Sequence, residues 1–561
     1  MRTRQQAFDQ IKDSTFDVCV IGGGASGASC ALDAQMRGLR TVVVDAGDFA
    51  SGSSTASTKM VHGGVRYLQE AVNDLDAGQY HLVQSALRER ESMLRSAPHL
   101  TRTVEFLVPC FSNFEKIYYG LGMKMYDWIA GKSSLLPSRI LTREEALYRM
   151  PAMRHERLVG AVAYADGQFD DARYGLALVE TFDAAGGIAL NYARVTGFGK
   201  DEAGRIASVS VSDRIGGGAV AIRARAFVNA TGPFSDAVRQ LASPGAVPRM
   251  RPSKGVHIMV PLDGFPDKDA VLIPKTEDGR VIFAIPWNGR LLIGTTDTGY
   301  TPGEEMVVKR EEIEYLLRQI NPYLNSPLTA DEVVAGIAGV RPLVAARGVA
   351  DTKKLIRDDE VEFDASTGLI SILGGKWTTH RLMGEETIDR VQDYLGTRSR
   401  SRTWNFPLAG AHGYTSDYWQ TLVKDFDIQA DLAQYLARKY GSAAPEVLTL
   451  TRSDRTLAAP LVIDGAPIRA QVVYAARVEM ATTIEDVLAR RIGLQLYSWR
   501  YAMEAAPIVA ELLRRELGWT GKEEDHALET YLAAVNHMIS MAGQTPEPAP
   551  PPERELVLER K

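Results

Sequence analysis

The strongest constraint on this chain is a glycine-rich turn between an apolar run and a helical pattern near the N-terminus. Phe16 to Ile21 is apolar and followed by GGGASG, which contains Gly22, Gly24 and Gly27 in the spacing GxGxxG, and Ser26 to Arg37 has helical periodicity. Bare backbone at these glycines lets a pyrophosphate approach the amide groups at the N-terminus of the helix. The pattern therefore predicts a strand, turn and helix that bind a dinucleotide.

A carboxylate follows at the expected distance. Thr41 to Asp45 is a second β-branched run, and Asp45 ends it about 20 residues after the turn. A carboxylate here can accept hydrogen bonds from both ribose hydroxyls and would repel a 2′-phosphate. Because FAD and NAD share this fingerprint, these residues alone leave the choice of cofactor open.

Bulk composition narrows the class of protein. With 561 residues and 45% apolar composition, the chain can form two or three domains, and its net charge of −6 gives no support to a nucleic-acid partner. Cys19, Cys30 and Cys110 form no CxxC pair, which argues against a disulfide framework or an iron-sulfur cluster, and we predict no metal site. The polar first 15 residues and the lack of a long apolar run predict a soluble or peripherally bound protein in a reducing cytosol.

The dinucleotide unit is predicted to be the first piece of a discontinuous domain, since strand-like runs at Arg225 to Ala230 and Leu369 to Leu373 also end in glycine-containing turns. Residues 15–400 are therefore assigned to this domain, with a substrate domain inserted at roughly 70–160 and 245–355. Val281 to Trp287, the turn Asn288-Gly289 and Arg290 to Thr295 predict an antiparallel hairpin in that insertion, because Asn-Gly tolerates positive φ at both turn positions.

The last part of the chain has a different pattern. Apolar residues recur at helical spacing in Asp431 to Tyr440, Glu485 to Leu496 and Ala505 to Leu517, which predicts a helical domain over 401–543. Residues 544–561 are rich in proline and are predicted to be disordered. The predicted fold class is α/β, with a Rossmann-like FAD-binding domain, an antiparallel-sheet substrate domain and a helical C-terminal domain.

Longer motifs resemble one enzyme family. The block from Ser53 to Leu68, SSTASTKMVHGGVRYL, is similar to the SSxASxKxxHGGxRYL block of the FAD-dependent sn-glycerol-3-phosphate dehydrogenases. The resemblance extends over residues 15 to 540 through VNATGP, KGVH, IGTTD, GVRPL and GGKWTT, which begin at Val228, Lys254, Ile293, Gly339 and Gly374. Trp377 departs from it, because an aliphatic residue is expected there.

The resemblance implies FAD as cofactor. Its predicted contacts are the cradle residues and the residues of the later blocks, namely Gly22, Gly24, Gly27, Asp45, Ser54, Ser57, Lys59, His62, Gly63, Gly64, Thr231, Gly232, Gly375, Lys376 and Thr378. Gly374 to Lys376 precedes a predicted helix from Thr378, whose N-terminus would stabilise an anionic reduced flavin.

The family substrate, sn-glycerol 3-phosphate, is a dianion near neutral pH and needs several cations. Arg66, Arg341, Arg357 and Lys376 are the candidates, and each could instead be a surface residue. Tyr67 could donate to the phosphate or be a buried aromatic. Catalysis also requires a base for the C2 hydroxyl, and a histidine pKa is near working pH.

His257 is the first candidate for that base, against the alternative of a satisfied core histidine. Arg341 could instead polarise the hydroxyl and stabilise the ketone oxygen. Arg341 and Lys376 complete the predicted catalytic set.

In the resembling dehydrogenases electrons pass to a membrane quinone. Phe106 to Leu136, rich in aromatic residues with lysines interspersed, fits either an interfacial helix or a core helix. The predicted partners are sn-glycerol 3-phosphate, a quinone, the inner face of the cytoplasmic membrane and a second copy in a homodimer, with no nucleic acid. The alternatives are a glycerol-3-phosphate oxidase that uses oxygen, a same-fold oxidase of another hydroxy or amino acid, and a flavin protein without turnover.

Overall fold

The computed structural model describes residues 1–64, 77–265, 267–277, 279–345, 355–356, 359–463 and 465–546. Its strands, numbered in chain order, are β1 Thr15–Ile21, β2 Thr41–Val44, β3 Met60–Val61, β4 Thr101–Cys110, β5 Arg139–Leu141, β6 Gly160–Phe169, β7 Ile188–Leu190, β8 Ala193–Lys200, β9 Ile206–Asp213, β10 Ala219–Asn229, β11 Ser253–Pro261, β12 Asp269–Ile273, β13 Ile282–Trp287, β14 Arg290–Gly294, β15 Thr298–Gly299, β16 Ala335–Arg341, β17 Val344–Ala345, β18 Leu355–Ile356, β19 Glu360–Phe363 and β20 Leu369–Leu373.

The described helices are α1 Arg4–Lys12, α2 Ala25–Met36, α3 Ala77–Ser96, α4 Asn113–Ala130, α5 Arg143–Arg149, α6 Asp171–Ala184, α7 Ser235–Ala242, α8 Arg310–Ile320, α9 His380–Leu395, α10 Tyr418–Phe426, α11 Ala430–Tyr440, α12 Ala444–Ser453, α13 Ala470–Val478, α14 Leu494–Tyr497, α15 Trp499–Leu517 and α16 Gly521–Met541. A π-helix spans Asp486–Arg491.

The first sheet is the dinucleotide-binding sheet. Its path is β19-β20-β10-β1-β2-β7, and β1 pairs in parallel with both β2 and β10. Consecutive neighbours come from distant parts of the chain, since Ile21 pairs with Asn229 and Phe227 pairs with Leu369. The carboxyl ends of these parallel strands therefore meet at one edge, which is where open α/β sheets bind their ligands.

The second sheet has ten strands, most of them antiparallel, and most of these strands lie in the ranges predicted for the substrate part. β13 and β14 make the predicted hairpin, with φ of 48° at Asn288 and 71° at Gly289. β3 and β6 also join this sheet and lie largely outside the ranges predicted for the substrate part. β11 runs between β14 and β16 and carries His257 in its centre.

The C-terminal helices pack onto the second sheet, and their apolar side chains share one core with it. The predicted helix Glu485 to Leu496 is not continuous. The π-helix occupies Asp486–Arg491, and Gly493, with φ of 90°, separates it from α14. A helix-period pattern does not distinguish a π turn from an α turn, which is why the sequence missed this break.

Candidate active site

A large cavity runs along the edge of the first sheet and under the second. Its volume of about 1560 Å³ exceeds the roughly 300–1000 Å³ of an ordinary ligand pocket. It is lined by the residues of both predicted sites that the structure describes, with two exceptions considered below: Gly22, Gly24, Asp45, Ser54, Ser57, His62, Gly63, Gly64, Thr231, Gly232, His257, Arg341, Gly375, Lys376 and Thr378. Arg66, Tyr67 and Arg357 lie outside the described residues.

At one end of the cavity, the turn after β1 forms a bare backbone cradle. Gly22 has φ of 106°, and a Cβ there would lie 2.5 Å from the carbonyl oxygen of Ala230. Gly24 precedes α2 as its N-cap without a side-chain hydrogen bond, and the Oγ of Ser54 accepts from the backbone amide of Ala25 at 3.0 Å. The exposed amides and the helix N-terminus suit the diphosphate of a dinucleotide.

Gly27 is the first exception, because it lies behind the cavity wall. A Cβ at this position would overlap the carbonyl oxygen of Gly22. Its predicted contact with the cofactor is therefore corrected to a packing role, in which a missing side chain lets α2 approach the turn.

Asp45 is held in place from two sides. Its Oδ2 accepts from the amide of Gly23 at 2.6 Å, and its Oδ1 accepts from the amide of Gly47 at 2.8 Å. Burial raises the pKa of Asp45 to about 6, and the neighbouring Asp48 adds to the rise, while the two amides and Arg490 oppose it. A carboxylate at the end of β2 that needs further partners fits the ribose hydroxyls of FAD.

Lys59 is the second exception. Its ammonium group is fully buried, donates to Asp171 at 2.5 Å and to the carbonyl of Thr55 at 2.7 Å, and does not line the cavity. Asp171 also accepts from the Oγ of Ser57 at 2.7 Å. The prediction that Lys59 contacts the cofactor is thus corrected: this lysine fastens the 55–59 segment to α6. Asp171 lies 112 positions away in sequence, and no local signal indicated the pair.

The segment after β3 is fastened in a similar way by residues that the motifs did not reveal. The hydroxyl of Tyr126 accepts from the amide of Gly63 at 2.8 Å and donates to the buried Asp166, which pairs with Arg90 at 2.5 Å. His62 lines the cavity nearby, and burial lowers its pKa. These contacts fix the backbone where the cavity turns from the first sheet to the second.

His257 lies at this second end, buried in β11. Its Nε2 is 2.9 Å from the Oγ1 of Thr58, while its Nδ1 has no hydrogen-bond partner among the described atoms. Burial lowers the pKa of His257 to about 3, and the charges of Arg341 and Lys59 contribute. The expectation that this histidine titrates near neutral pH is therefore wrong: the imidazole is neutral, and its low pKa makes it a weak base unless a nearby negative charge raises that pKa.

Arg341 approaches the same region from the end of β16. Its guanidinium lies against Gly255, where a Cβ would be 2.6 Å from Nη2, and it donates to the Oγ1 of Thr295 and the carbonyl of Thr296, both at 2.9 Å. Asp297 is 3.4 Å away. These contacts hold the Arg341 guanidinium in one orientation, and the side chain is only partly exposed. A fixed guanidinium of this kind suits bidentate recognition of an anion.

Lys376 is the third residue of the predicted catalytic set, and it also lines the cavity. It follows Gly374 and Gly375, which have φ of 81° and 103°, and precedes a 3₁₀ turn at Trp377–Thr379 that leads into α9. Trp377 donates from Nε1 to the carbonyl of Ser54 at 2.8 Å, so the aromatic substitution ties this turn to the cradle. Thr378 donates to the carbonyl of His62 at 3.4 Å.

Comparison with known proteins agrees with this geometry. Residues 17–390 match the family model described as FAD dependent oxidoreductase, and residues 401–524 match the C-terminal domain of alpha-glycerophosphate oxidase. The protein is therefore an FAD-dependent oxidoreductase.

Individual relatives narrow the family. The chain is 40% identical to the probable mitochondrial glycerol-3-phosphate dehydrogenase of Caenorhabditis elegans over 94% of this chain and 74% of that one, and 38% identical to the mitochondrial enzyme of Mus musculus over 92% and 72%. The glycerol-3-phosphate dehydrogenase of Bacillus halodurans, solved with FAD, has a TM-score of 0.78 and 30% identity, covering 95% of this chain and 97% of that one. This chain belongs to the FAD-dependent glycerol-3-phosphate dehydrogenase family.

Proposed function

We propose that the enzyme oxidises sn-glycerol 3-phosphate to dihydroxyacetone phosphate and passes the electrons to a membrane quinone. The observation that carries the substrate assignment is the meeting of His257, Arg341 and Lys376 in the cavity that begins at the FAD cradle. Two cations from separate elements suit a phosphorylated substrate, and a neutral imidazole that lines the same cavity suits an alcohol that must lose a proton.

Each residue has a definable task. When bound, FAD supplies the hydride acceptor. The guanidinium of Arg341, held by Thr295 and Thr296, orients the substrate through its phosphate or its C2 oxygen. Lys376 adds positive charge beside the turn that leads into α9. His257 takes the hydroxyl proton, and a dianionic substrate would raise its pKa from the low value of the ligand-free site.

Anaerobic titration tests the substrate. Glycerol 3-phosphate should bleach the flavin absorbance of the holoenzyme within one turnover, whereas glycerol, which lacks the phosphate, should leave it oxidised at the same concentration. Bleaching by a neutral amino acid but not by glycerol 3-phosphate would indicate a same-fold amino-acid oxidase, and failure of every donor would indicate a protein without turnover.

An apolar surface on α4 supports the quinone and membrane part of the proposal. Phe114, Ile117, Tyr118, Leu121 and Trp128 are exposed although α4 already buries its other face, and Phe114 and Trp128 are 77% and 73% exposed. We call these five residues the α4 patch. Their spacing places most of them on one side of the helix, and a patch of this kind marks an interaction surface. The Phe106 to Leu136 region is thus partly β4, at Phe106 to Cys110, and partly this helix.

The cavity reaches the α4 patch. Tyr118 and Leu121 are exposed and also line the cavity, as do Gly122 and Met125 on the same helix. A lipid-soluble acceptor could therefore move from a membrane along α4 towards the flavin without crossing water. Among the described residues, no helix is both long and apolar enough to span a bilayer. We propose peripheral attachment to the inner face of the cytoplasmic membrane through this patch.

Vesicle flotation tests the attachment. Wild-type protein should float with vesicles of phosphatidylcholine and phosphatidylglycerol, and Phe114→Ser with Trp128→Ser should reduce binding by about tenfold or more, because each buried aromatic contributes about 1.5–3 kcal/mol. Ile463→Ser is the matched control, since Ile463 is also 77% exposed but lies in the C-terminal region. Equal flotation of both variants would remove the α4 patch from the proposal.

The acceptor is tested separately. After anaerobic reduction by glycerol 3-phosphate, a water-soluble quinone should reoxidise the flavin much faster than air-saturated buffer. The opposite order would favour the glycerol-3-phosphate oxidase alternative. The homodimer remains a prediction that light scattering of the purified holoenzyme would test.

A further inference from the structure

The loop of residues 45–50 follows β2 and packs against the cofactor cradle, and on its cavity side Arg214 donates to the carbonyl of Ala46 at 3.0 Å. Asp45 contacts the amides of Gly23 and Gly47. The amide of Ala50 donates to the carbonyl of Gly23 at 3.1 Å, and Phe49 packs so closely that a Cβ on Gly23 would lie 2.9 Å from its ring. The position of this loop therefore sets the positions of both Asp45 and the glycine turn.

Asp48 anchors the loop from behind. It is 1% exposed and points away from the cavity, towards the C-terminal region. Arg490 donates from Nε to Asp48 Oδ2 at 2.7 Å, and Arg491 donates from both terminal nitrogens to the two carboxylate oxygens, with Nη2 3.0 Å from Oδ1. Asn191 adds a hydrogen bond at 3.1 Å. One carboxylate thus holds two buried guanidinium groups from a segment more than 400 residues away.

The two arginines are themselves fixed by the C-terminal region. Arg490 pairs with Asp486 at 2.6 Å, and Asp486 also accepts from the hydroxyl of Tyr192 at 2.6 Å. Arg491 donates to the carbonyl of Glu479 at 2.6 Å. Two buried carboxylates, Asp48 and Asp486, pair with the two buried cations, as burying such charges requires, and the exposed Glu485 lies 3.3 Å from Arg490.

Both arginines lie in the π-helix Asp486–Arg491, which belongs to the stretch matched by the second family model and not to residues 17–390, which match the FAD oxidoreductase model. π turns inside helical segments are frequent at functional sites. Here the turn directs two consecutive arginine side chains to the same carboxylate.

We propose that Arg490 and Arg491 are positioning residues that retain the cofactor, because they hold Asp48 and thereby keep the 45–50 loop closed on the adenosine end of FAD. The helical C-terminal region then has a task at the opposite end of the cavity from substrate oxidation. This inference depends on FAD as cofactor and not on the identity of substrate or electron acceptor.

The test is the rate at which the holoenzyme releases FAD into flavin-free buffer, followed by the rise in flavin fluorescence. Arg490→Met leaves Arg491 to pair with Asp48, and Asp48→Asn removes the anchor from the other side. Both should accelerate release about tenfold or more, as loss of a hydrogen bond to a charged group implies. Arg490→Lys keeps the charge and should restore part of the retention.

The pair of variants separates positioning from simple electrostatics, because Arg490→Met adds net negative charge beside Asp45 and Asp48→Asn removes it. Faster release from Asp48→Asn supports positioning, whereas slower or unchanged release overturns it. Arg149→Met, which breaks a partly buried pair with Asp269 in the second sheet, is the control for general destabilisation. If it releases FAD as fast as Arg490→Met at equal loss of thermal stability, the proposal fails.

Discussion

The two ends of the cavity are built on different principles. At the cofactor end, the backbone amides of Gly22 to Gly24 and the Asp45 carboxylate face the cavity, and the 45–50 loop is held by Asp48 on its buried side and by Arg214 at the carbonyl of Ala46. At the substrate end, charged side chains themselves face the cavity, as Arg341 and Lys376 do. The first end depends on close packing and the second on charge. Mutations should therefore affect cofactor binding and turnover separately.

Gly27→Ala is expected to have the largest effect on cofactor binding. A methyl group would overlap the Gly22 carbonyl, and neither the strand nor the helix can move without opening the cradle. We expect purified protein with almost no flavin absorbance per polypeptide. Gly197→Ala is the control, because a Cβ at Gly197 meets no atom within 4 Å. Normal flavin content in Gly27→Ala would mean that the packing at the turn is not decisive.

At the other end, Arg341→Ala should lower kcat/KM by about 10²–10³-fold, equivalent to about 2.7–4 kcal/mol, because an oriented donor to developing charge is removed. Flavin content should stay the same, since the hydrogen bonds that fix Arg341 go to Thr295 and Thr296 at the other end of the cavity. Steady-state kinetics with glycerol 3-phosphate measures the first quantity and the visible spectrum the second. Arg139→Ala, whose exposed guanidinium pairs with Glu105, should change neither.

A change of pH is expected to have a smaller effect, and it should alter the affinity for FAD through Asp45. Because the pKa of Asp45 is raised to about 6 and FAD needs the ionised carboxylate, binding must release a proton below that pH. FAD affinity should be constant above pH 7 and fall by up to about tenfold per pH unit below about 6. Fluorescence titration of apoprotein measures this, and Asp45→Asn should bind weakly at every pH with no such break.

The smallest effect is expected from losing the hydrogen bond by which Trp377, next to Lys376, contacts Ser54 beside the cofactor cradle. Trp377→Phe keeps a ring in edge-to-face contact with Phe169 and Tyr174 but loses the hydrogen bond to the Ser54 carbonyl, which should cost about 1 kcal/mol in holoenzyme stability. Thermal unfolding of the holoenzyme measures it. Trp377→Leu should cost more, because it also removes the aromatic contacts.

Local signals in the sequence predicted the parts that local geometry determines. The cradle from Gly22 and the hairpin at Asn288-Gly289 each need particular residues at adjacent positions, and both are present in the structure. The family motifs indicated which strands approach the cofactor, although their spacing along the chain gives no distances.

The sequence did not reveal contacts between distant polar residues. Lys59 lies inside a cofactor motif, yet its charge is used by Asp171. In the sequence Asp48 resembles an ordinary loop residue, and only the structure shows that it pairs with Arg490 and Arg491. The low pKa of His257 likewise depends on burial and on the charge of Arg341, which lies on another strand. Such effects follow from tertiary packing, which periodicity and composition do not encode.

The order of strands in the first sheet has a consequence for biosynthesis. β1 pairs with β10, and β10 pairs with β20, which ends at Leu373. The central sheet can therefore be completed only after the ribosome has synthesised residue 373. At roughly 5–20 residues per second, the first strand remains without its inner neighbour for many seconds. During that interval the apolar edge of β1 that later pairs with β10 has no partner strand in the nascent chain.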